Sequence, residues 1–294
     1  MTASHTLPNP VPLGSTAQLM SQITGRLTAG LAGAGTRAAR GRAARRPALI
    51  AVAHGSRDPG ALRTVTALLD RVRALRPDLS VRLGHIELNE PLLTDTLADP
   101  ALRSTGAVLV PLLLSRGHHV KHDIPRMLAA AAPGLDARFA APLGPHPLLV
   151  EALHGRLQEA GRRPGTEPGP RPSLPYDGVV LAAAGSRDPD AAVDTGCSAR
   201  MLSERLGGVP VVAGYASAAA PTVPEALRAL RARGCRRIAV ASYFTAPGRF
   251  ASDSAAAAPG AAAAPLGDHP ALARLVLGRY AEALATPETL RPAV

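Results

Sequence analysis

Short words recur along this chain at a nearly fixed separation, and that repetition limits the possible folds more than any other feature. His54 to Pro59 reads HGSRDP, and Ala184 to Pro189 reads AGSRDP. At the same offset, GHIELNEPLL from Gly84 meets GYASAAAPTV from Gly214, keeping Gly and Pro. Near the end of each half, APLGPHPLL from Ala141 returns as APLGDHPAL from Ala264. With 294 residues the chain is long enough for about two domains. Two copies of one fold account for the shared words most simply.

Within the first copy, Ala48 to Ala53 (ALIAVA) is a short unbroken apolar run, as expected for a strand covered on both faces. Asp58 and Pro59 then open a helix to about Arg76, with Leu62, Val65, Leu68, Leu69 and Val72 on one stripe. Further strands are expected at Val81 to Leu88, Gly106 to Leu114 and Ala137 to Leu143, and helices at Pro91 to Ala98, Asp123 to Ala132 and His146 to Gly161. The second copy repeats the pattern from Val179. Alternating strands and helices predict an α/β chain of two tandem lobes. Each lobe is a doubly wound, mainly parallel four-stranded sheet with helices on both faces. The expected division is a disordered basic tail over 1–46, a lobe over 47–161 carrying the site, a Pro/Gly linker over 162–176 and a degenerate lobe over 177–285.

The formal net charge of +11 raises nucleic acid as a partner. Residues 1–46 hold six Arg and no acid, however, so the remainder carries only +5. No aromatic and basic residues interleave as base-stacking surfaces require, so nucleic acid is not expected. Trp is absent and aromatics are 2% of the chain, a bias that fits codon pressure from a GC-rich genome. Cys197 and Cys235 stand alone, without a CxxC pair, which suits a reducing cytoplasm. No apolar run is long enough for a membrane helix, and the N-terminus lacks a secretory pattern. Its Arg-rich composition overlaps that of transit peptides, and a bacterial extension is the preferred reading.

In a parallel sheet, ligands bind beyond the carboxyl ends of the strands. His54 directly follows the first strand, Glu87 lies at the end of the second, and the loop after the third reads SRGHHVKHDIP from Ser115 to Pro125. Imidazoles and a carboxylate thus converge on one edge. Such a set suits Fe, Co, Ni or Zn with positions left open, which describes an exchangeable ion. The repeat acts as an internal control: His54 corresponds to Ala184, Glu87 to Ser217 and the His118/His119 region to Arg249/Phe250. The second copy keeps the GSRDP turn without the donors, so one competent site is expected, in the first lobe. Ser56 lacks the GxSxG setting of a nucleophile and is read as a helix cap or a contact to a substrate arm.

The HGSR turn, Glu87, the Pro-Leu-Leu-Leu strand from Pro111 and the pattern of Gly117, His119, Val120, Asp123, Ile124 and Pro125 together resemble the class II tetrapyrrole chelatases. The similarity is to the sirohydrochlorin chelatase branch, with its iron-inserting and cobalt-inserting members. It covers residues 47–160 well and 177–280 as a degenerate copy. The resemblance implies that His54 and His119 are the metal-binding and catalytic histidines, assisted by Glu87, with His118 and His122 ranked second. It also implies two lobes facing a cleft as an intramolecular pseudo-dimer. The divalent metal, Fe2+ first and Co2+ as the alternative, would be a substrate, with no organic cofactor. The absence of a phosphate loop agrees.

The polyanionic sirohydrochlorin that the resemblance names calls for a positive cleft. Ser56, Arg57, Arg116, Gly117 and Lys121 are the expected substrate-binding residues, with Arg126 and the backbone N–H groups near Ser56 and Arg57 adding to the field. A non-catalytic metal or tetrapyrrole carrier on the same fold is the rival reading.

Overall fold

The computed structural model describes residues 46–161 and 176–286. The tail and linker expected from the sequence lie outside these residues, except at their inner edges. Arg46 is exposed there, and Tyr176 is buried, so the packed second lobe already begins at Tyr176.

The first lobe runs β1 (Ala48–Ala53), α1 (Pro59–Leu75), β2 (Val81–His85), α2 (Leu93–Leu97), α3 (Leu102–Thr105), β3 (Ala107–Pro111), a π-helical turn (His119–Asp123), α4 (Ile124–Ala131), β4 (Ala137–Phe139) and α5 (Pro147–Gly161). The second runs β5 (Gly178–Ala183), α6 (Pro189–Arg205), β6 (Val211–Tyr215), α7 (Val223–Ala232), β7 (Ile238–Tyr243), α8 (Arg249–Ala256) and α9 (Pro270–Ala285). Strand order is β2-β1-β3-β4 in one sheet and β6-β5-β7 in the other, all parallel. The central strands β1 and β5 are buried at every residue, as their unbroken apolar runs require.

The fold class expected from the sequence is therefore present, with one correction. The second sheet has three strands, because the segment matching β4 is rich in Ala and Gly, which fit a pleated surface poorly. It makes only an isolated bridge, Val240 to Ala262.

Each of the two GSRDP words does the same local work. Asp58 and Asp188 cap α1 and α6, accepting from Gly60 N at 2.7 Å and Asp190 N at 3.0 Å, while Pro59 and Pro189 occupy the first helical turn. The turn survives in both copies because it starts a helix in both.

Side chains of β1 alternate between two cores. Leu49, Ala51 and Ala53 join a large cluster that also holds residues of β5, β7, α6 and α9, whereas Ala48, Ile50 and Val52 pack outward on α2, α3 and Ile124 of α4. A third cluster fills the outer face of the second sheet. The shared core has an unexpected origin. The last helix of each lobe covers the other lobe: α5 packs on β7 and α6, and α9 packs on α1, β3 and β4. Leu272, Leu275 and Val276 of α9 are fully buried, and each such side chain contributes about 1.5–3 kcal/mol on removal from water. Polar contacts mark the same crossing: Arg71 pairs with Asp268, Arg156 donates to the Leu266 carbonyl and Tyr280 donates to the Pro47 carbonyl.

Candidate metal and tetrapyrrole site

Parallel strands β1 and β3 end side by side, and the loops leaving them meet. Residue 54 emerges from β1, and the turn His119–Asp123 follows the loop after β3. The Nε2 atoms of His54 and His119 stand 3.1 Å apart, with the rings nearly perpendicular at 88°. A metal ~2.0–2.1 Å from each nitrogen would subtend roughly 100° at that separation, close to a tetrahedral or cis-octahedral angle.

The outer nitrogens of the pair are occupied. Nδ1 of His119 lies 2.7 Å from Asp123 Oδ2, so the ring donates its proton there and turns the Nε2 lone pair inward. Nδ1 of His54 lies 3.3 Å from the Gly55 carbonyl and 3.6 Å from Glu87 Oε1. With these tautomers, two lone pairs converge, an arrangement that favours a cation or a proton between them. His54 is shifted below the ordinary imidazole value, first by desolvation and then by His119 opposite, while Glu87 pulls the other way.

Gly55 holds this corner together. Its φ is +106°, and a Cβ there would fall 1.8 Å from the Glu87 carbonyl oxygen. The Glu87 N–H donates to the His54 carbonyl at 3.0 Å, and Asn89 Oδ1 accepts from Ser56 N at 2.7 Å. Sequence reasoning missed Asn89, Asp123 as the partner of His119 and the interlobe role of Asp194. Asp123 offered a signal, since it stands four residues after His119.

The expected site residues separate into groups. His54, His119, Ser56, Arg57 and Gly117 line a cavity of about 840 Å³ between the lobes, in the upper part of the ~300–1,000 Å³ range of small-molecule sites. Glu87 stands on the Nδ1 side of His54, away from the converging nitrogens, and among the described residues no group of three or more His, Cys, Asp or Glu side chains is placed to hold an ion. In this arrangement the Glu87 carboxylate stands beside His54, 3.6 Å from its Nδ1.

Arg116 and Lys121 require correction as free cations of the cleft. Arg116 donates from its backbone N at 2.8 Å and its Nη2 at 2.7 Å to the buried Asp194 carboxylate of α6. Lys121 reaches Asp188 and Asp190 at 2.8 Å each. Both therefore fasten the His loop to the second lobe, and neither lines the cavity. Arg126 is paired with Asp123. The N–H of Ser56 is taken by Asn89, so it is not a free anion donor, while the Ser56 hydroxyl accepts from Asp58 N at 3.1 Å. His118 and His122 lie beside each other on the turn, with ring centroids 4.8 Å apart, outside the His54–His119 pair.

The lobes meet about an approximate twofold relation: Gly117 faces the Ser186 hydroxyl, and Gly248 faces the Ser56 hydroxyl. Among the described residues, the imidazoles that line the cavity all come from the first lobe. Two lobes of parallel sheet close on one imidazole pair, and solved structures share this two-lobed fold. SirB from Bacillus subtilis, solved with Fe3+, superposes with a TM-score of 0.64 at 24% identity, over 83% of this chain and 98% of that one. A CbiX described as the terminal enzyme of siroheme biosynthesis in denitrifying bacteria gives 0.60 at 23% identity, over 81% and 100%.

The family model for CbiX matches residues 48–160 and again 178–283, so the chain belongs to the CbiX family, and both copies bear its pattern. Relatives include a sirohydrochlorin ferrochelatase of Bacillus subtilis (strain 168), 29% identical over 184 residues that make up 60% of this chain and 66% of the relative. A sirohydrochlorin cobaltochelatase of Methanosarcina barkeri is 31% identical over 125 residues, 38% of this chain and 95% of the relative, which is the span of a single lobe. These relatives are named as metal chelatases.

Proposed function

We propose that this protein is a sirohydrochlorin chelatase that inserts a divalent metal into the macrocycle, with Fe2+ as the first candidate and Co2+ as the alternative. The observation that carries the reading is the pair of Nε2 atoms 3.1 Å apart, on one wall of a cavity large enough for a macrocycle. Family membership and the relatives' names support it.

His54 and His119 present the ion, and its other positions stay open for the ring nitrogens. Insertion releases two N–H protons, and a neutral imidazole accepts at least one as the metal leaves it. Desolvation keeps His54 in that neutral state. Glu87, beside Nδ1 of His54, balances the imidazolium that forms. Asp123 does the same for His119. Imidazole with carboxylate nearby accepts either iron or cobalt. Arg57 stands at the cavity for the peripheral carboxylates. Two free thiols support a cytoplasmic placement, and among the described residues no helix is long and apolar enough to cross a membrane.

The test is turnover with sirohydrochlorin and each metal, followed by absorbance and mass spectrometry. His54→Ala and His119→Ala should each lower insertion by about 100-fold or more, a typical loss for a positioned proton acceptor. If both variants match the wild type, the site is misassigned. Stoichiometric binding without acceleration over the spontaneous rate would identify a carrier.

A further inference from the structure

This chain is poor in aromatic residues, with three Phe, four Tyr and no Trp, yet Tyr215, Tyr243, Phe244 and Phe250 all line the cavity, and all four come from the second lobe. Tyr215 and Tyr243 are buried, Phe244 is part-buried and packs against the outer core of the second sheet, and Phe250 is part-buried at the cavity without joining any of the three cores. Phe250 holds in the second lobe the place that His119 holds in the first, one residue along a loop whose Gly248 matches Gly117. The imidazoles of the first wall are replaced by side chains without a lone pair for a metal, Ala184 for His54 and Phe250 for His119, and the Glu87 carboxylate is replaced by the neutral hydroxyl of Ser217. Leu62 and Leu88, large apolar side chains left exposed on the first lobe, line the same cavity. Arg249 adds a cation whose guanidinium carbon lies 5.3 Å from the Phe250 ring centroid.

Resting on the chelatase reading, we propose that Phe250 is the wall against which one face of the planar conjugated ring lies, so that the metal reaches the ring only from the opposite face, where His54 and His119 stand. An aromatic face suits a flat π-system by offset stacking and offers no lone pair to coordinate a divalent metal. Arg249 beside it and Arg57 across the cavity meet the acidic arms at the ring's edge, one cation from each lobe. Arg57 has no carboxylate within ion-pair distance among the described residues, and Arg249 has only a loose contact with Asp253 at 3.9 Å. The second lobe has lost its donors and has gained a surface for the other side of the same substrate.

The experiment compares Phe250→Ala, Phe250→Tyr and the control Phe139→Leu, whose ring is in β4 and away from the cavity. Sirohydrochlorin binding is followed by absorbance in the absence of metal, and Co2+ binding is titrated in the absence of the ring. Removing a phenyl face should weaken sirohydrochlorin binding roughly 10- to 100-fold. Phe250→Tyr should retain wild-type affinity, Phe139→Leu should be unaffected, and the Co2+ affinity of Phe250→Ala should equal the wild type, which also reports an intact fold. Equal sirohydrochlorin affinity in Phe250→Ala and wild type would overturn the wall, as would a parallel loss of Co2+ affinity. A wild type that binds Co2+ but no sirohydrochlorin would instead overturn the chelatase reading itself.

Discussion

Tyr243→Phe removes one oxygen atom from the seam between the lobes, and its cost can be worked out from the partners. The Tyr243 side chain is buried, and its hydroxyl donates to the Leu114 carbonyl at 3.0 Å while lying 2.8 Å from the fully buried Ser198 hydroxyl. Since the phenol proton goes to Leu114, Ser198 donates to the phenol oxygen. Burial raises the phenol's pKa, so the proton is present at any working pH. In the variant, Ser198 can turn to a carbonyl of its own helix, which recovers part of its loss. The Leu114 carbonyl has no such option. One lost hydrogen bond and one part-buried acceptor left without its donor together cost about 2–3 kcal/mol. For a chain of this size, that lowers the melting midpoint by about 4–12 °C.

Calorimetry and urea titration measure the shift. Tyr176→Phe is the internal comparison, because among the described residues its buried hydroxyl has no partner, and removing it should be neutral or stabilising. A shift in Tyr243→Phe below about 1 °C, or an equal loss in Tyr176→Phe, would refute the assignment of that energy to the Leu114 bond.

Three other outcomes are expected. Asp123→Ala frees Nδ1 of His119 and should weaken Co2+ binding about 10- to 100-fold, and unchanged affinity would show that the 2.7 Å contact does not orient the ring. Gly55→Ala and Gly185→Ala place a Cβ at the same 1.8 Å from a carbonyl, that of Glu87 and that of Ser217, so both should lose similar stability. Only Gly55→Ala should also lose Co2+ affinity, and equal losses of metal in both would contradict a single competent lobe. His85, His146, His154 and His269 are each shifted below the ordinary imidazole value by burial. The unfolded chain takes up these protons more readily below about pH 6.5, so stability present above that pH should fall as the solution is acidified. Asp188, lowered by Lys121, and Asp99, lowered by Arg82, add a further loss below about pH 4. A melting midpoint constant from pH 7.5 to 5.5 would show that those histidines are not desolvated.

Much of the first lobe was legible because its signals are local. The ALIAVA run and the Asp58-Pro59 cap specify a strand and a helix from adjacent residues, and those elements formed within a residue or two of the expected limits. The convergence of His54 and His119 followed from the rule that parallel strands deliver their loops to one edge. What covers a buried face was not legible. Leu272 and Val276 announce that α9 has an apolar side, but their periodicity is the same whether that side meets its own sheet or the neighbouring one. The fates of Arg116 and Lys121 depended on the same missing knowledge, since their partners Asp194, Asp188 and Asp190 come from the other copy. The sequence showed their charge but not its neutralisation.

The crossing of α5 and α9 sets a timetable for biosynthesis. On one side of the amino-terminal sheet α1 covers part of the apolar surface, but the part over β3 and β4 stays open until a helix ending at Ala285 has been made, 124 residues after Gly161. At roughly 5–20 residues per second on the ribosome, that part waits on the order of 6–25 s for its cover. The half that carries the histidines is therefore translated first and completed last, and for that interval the nascent chain presents a sticky surface that a chaperone, or another unfinished copy, can reach.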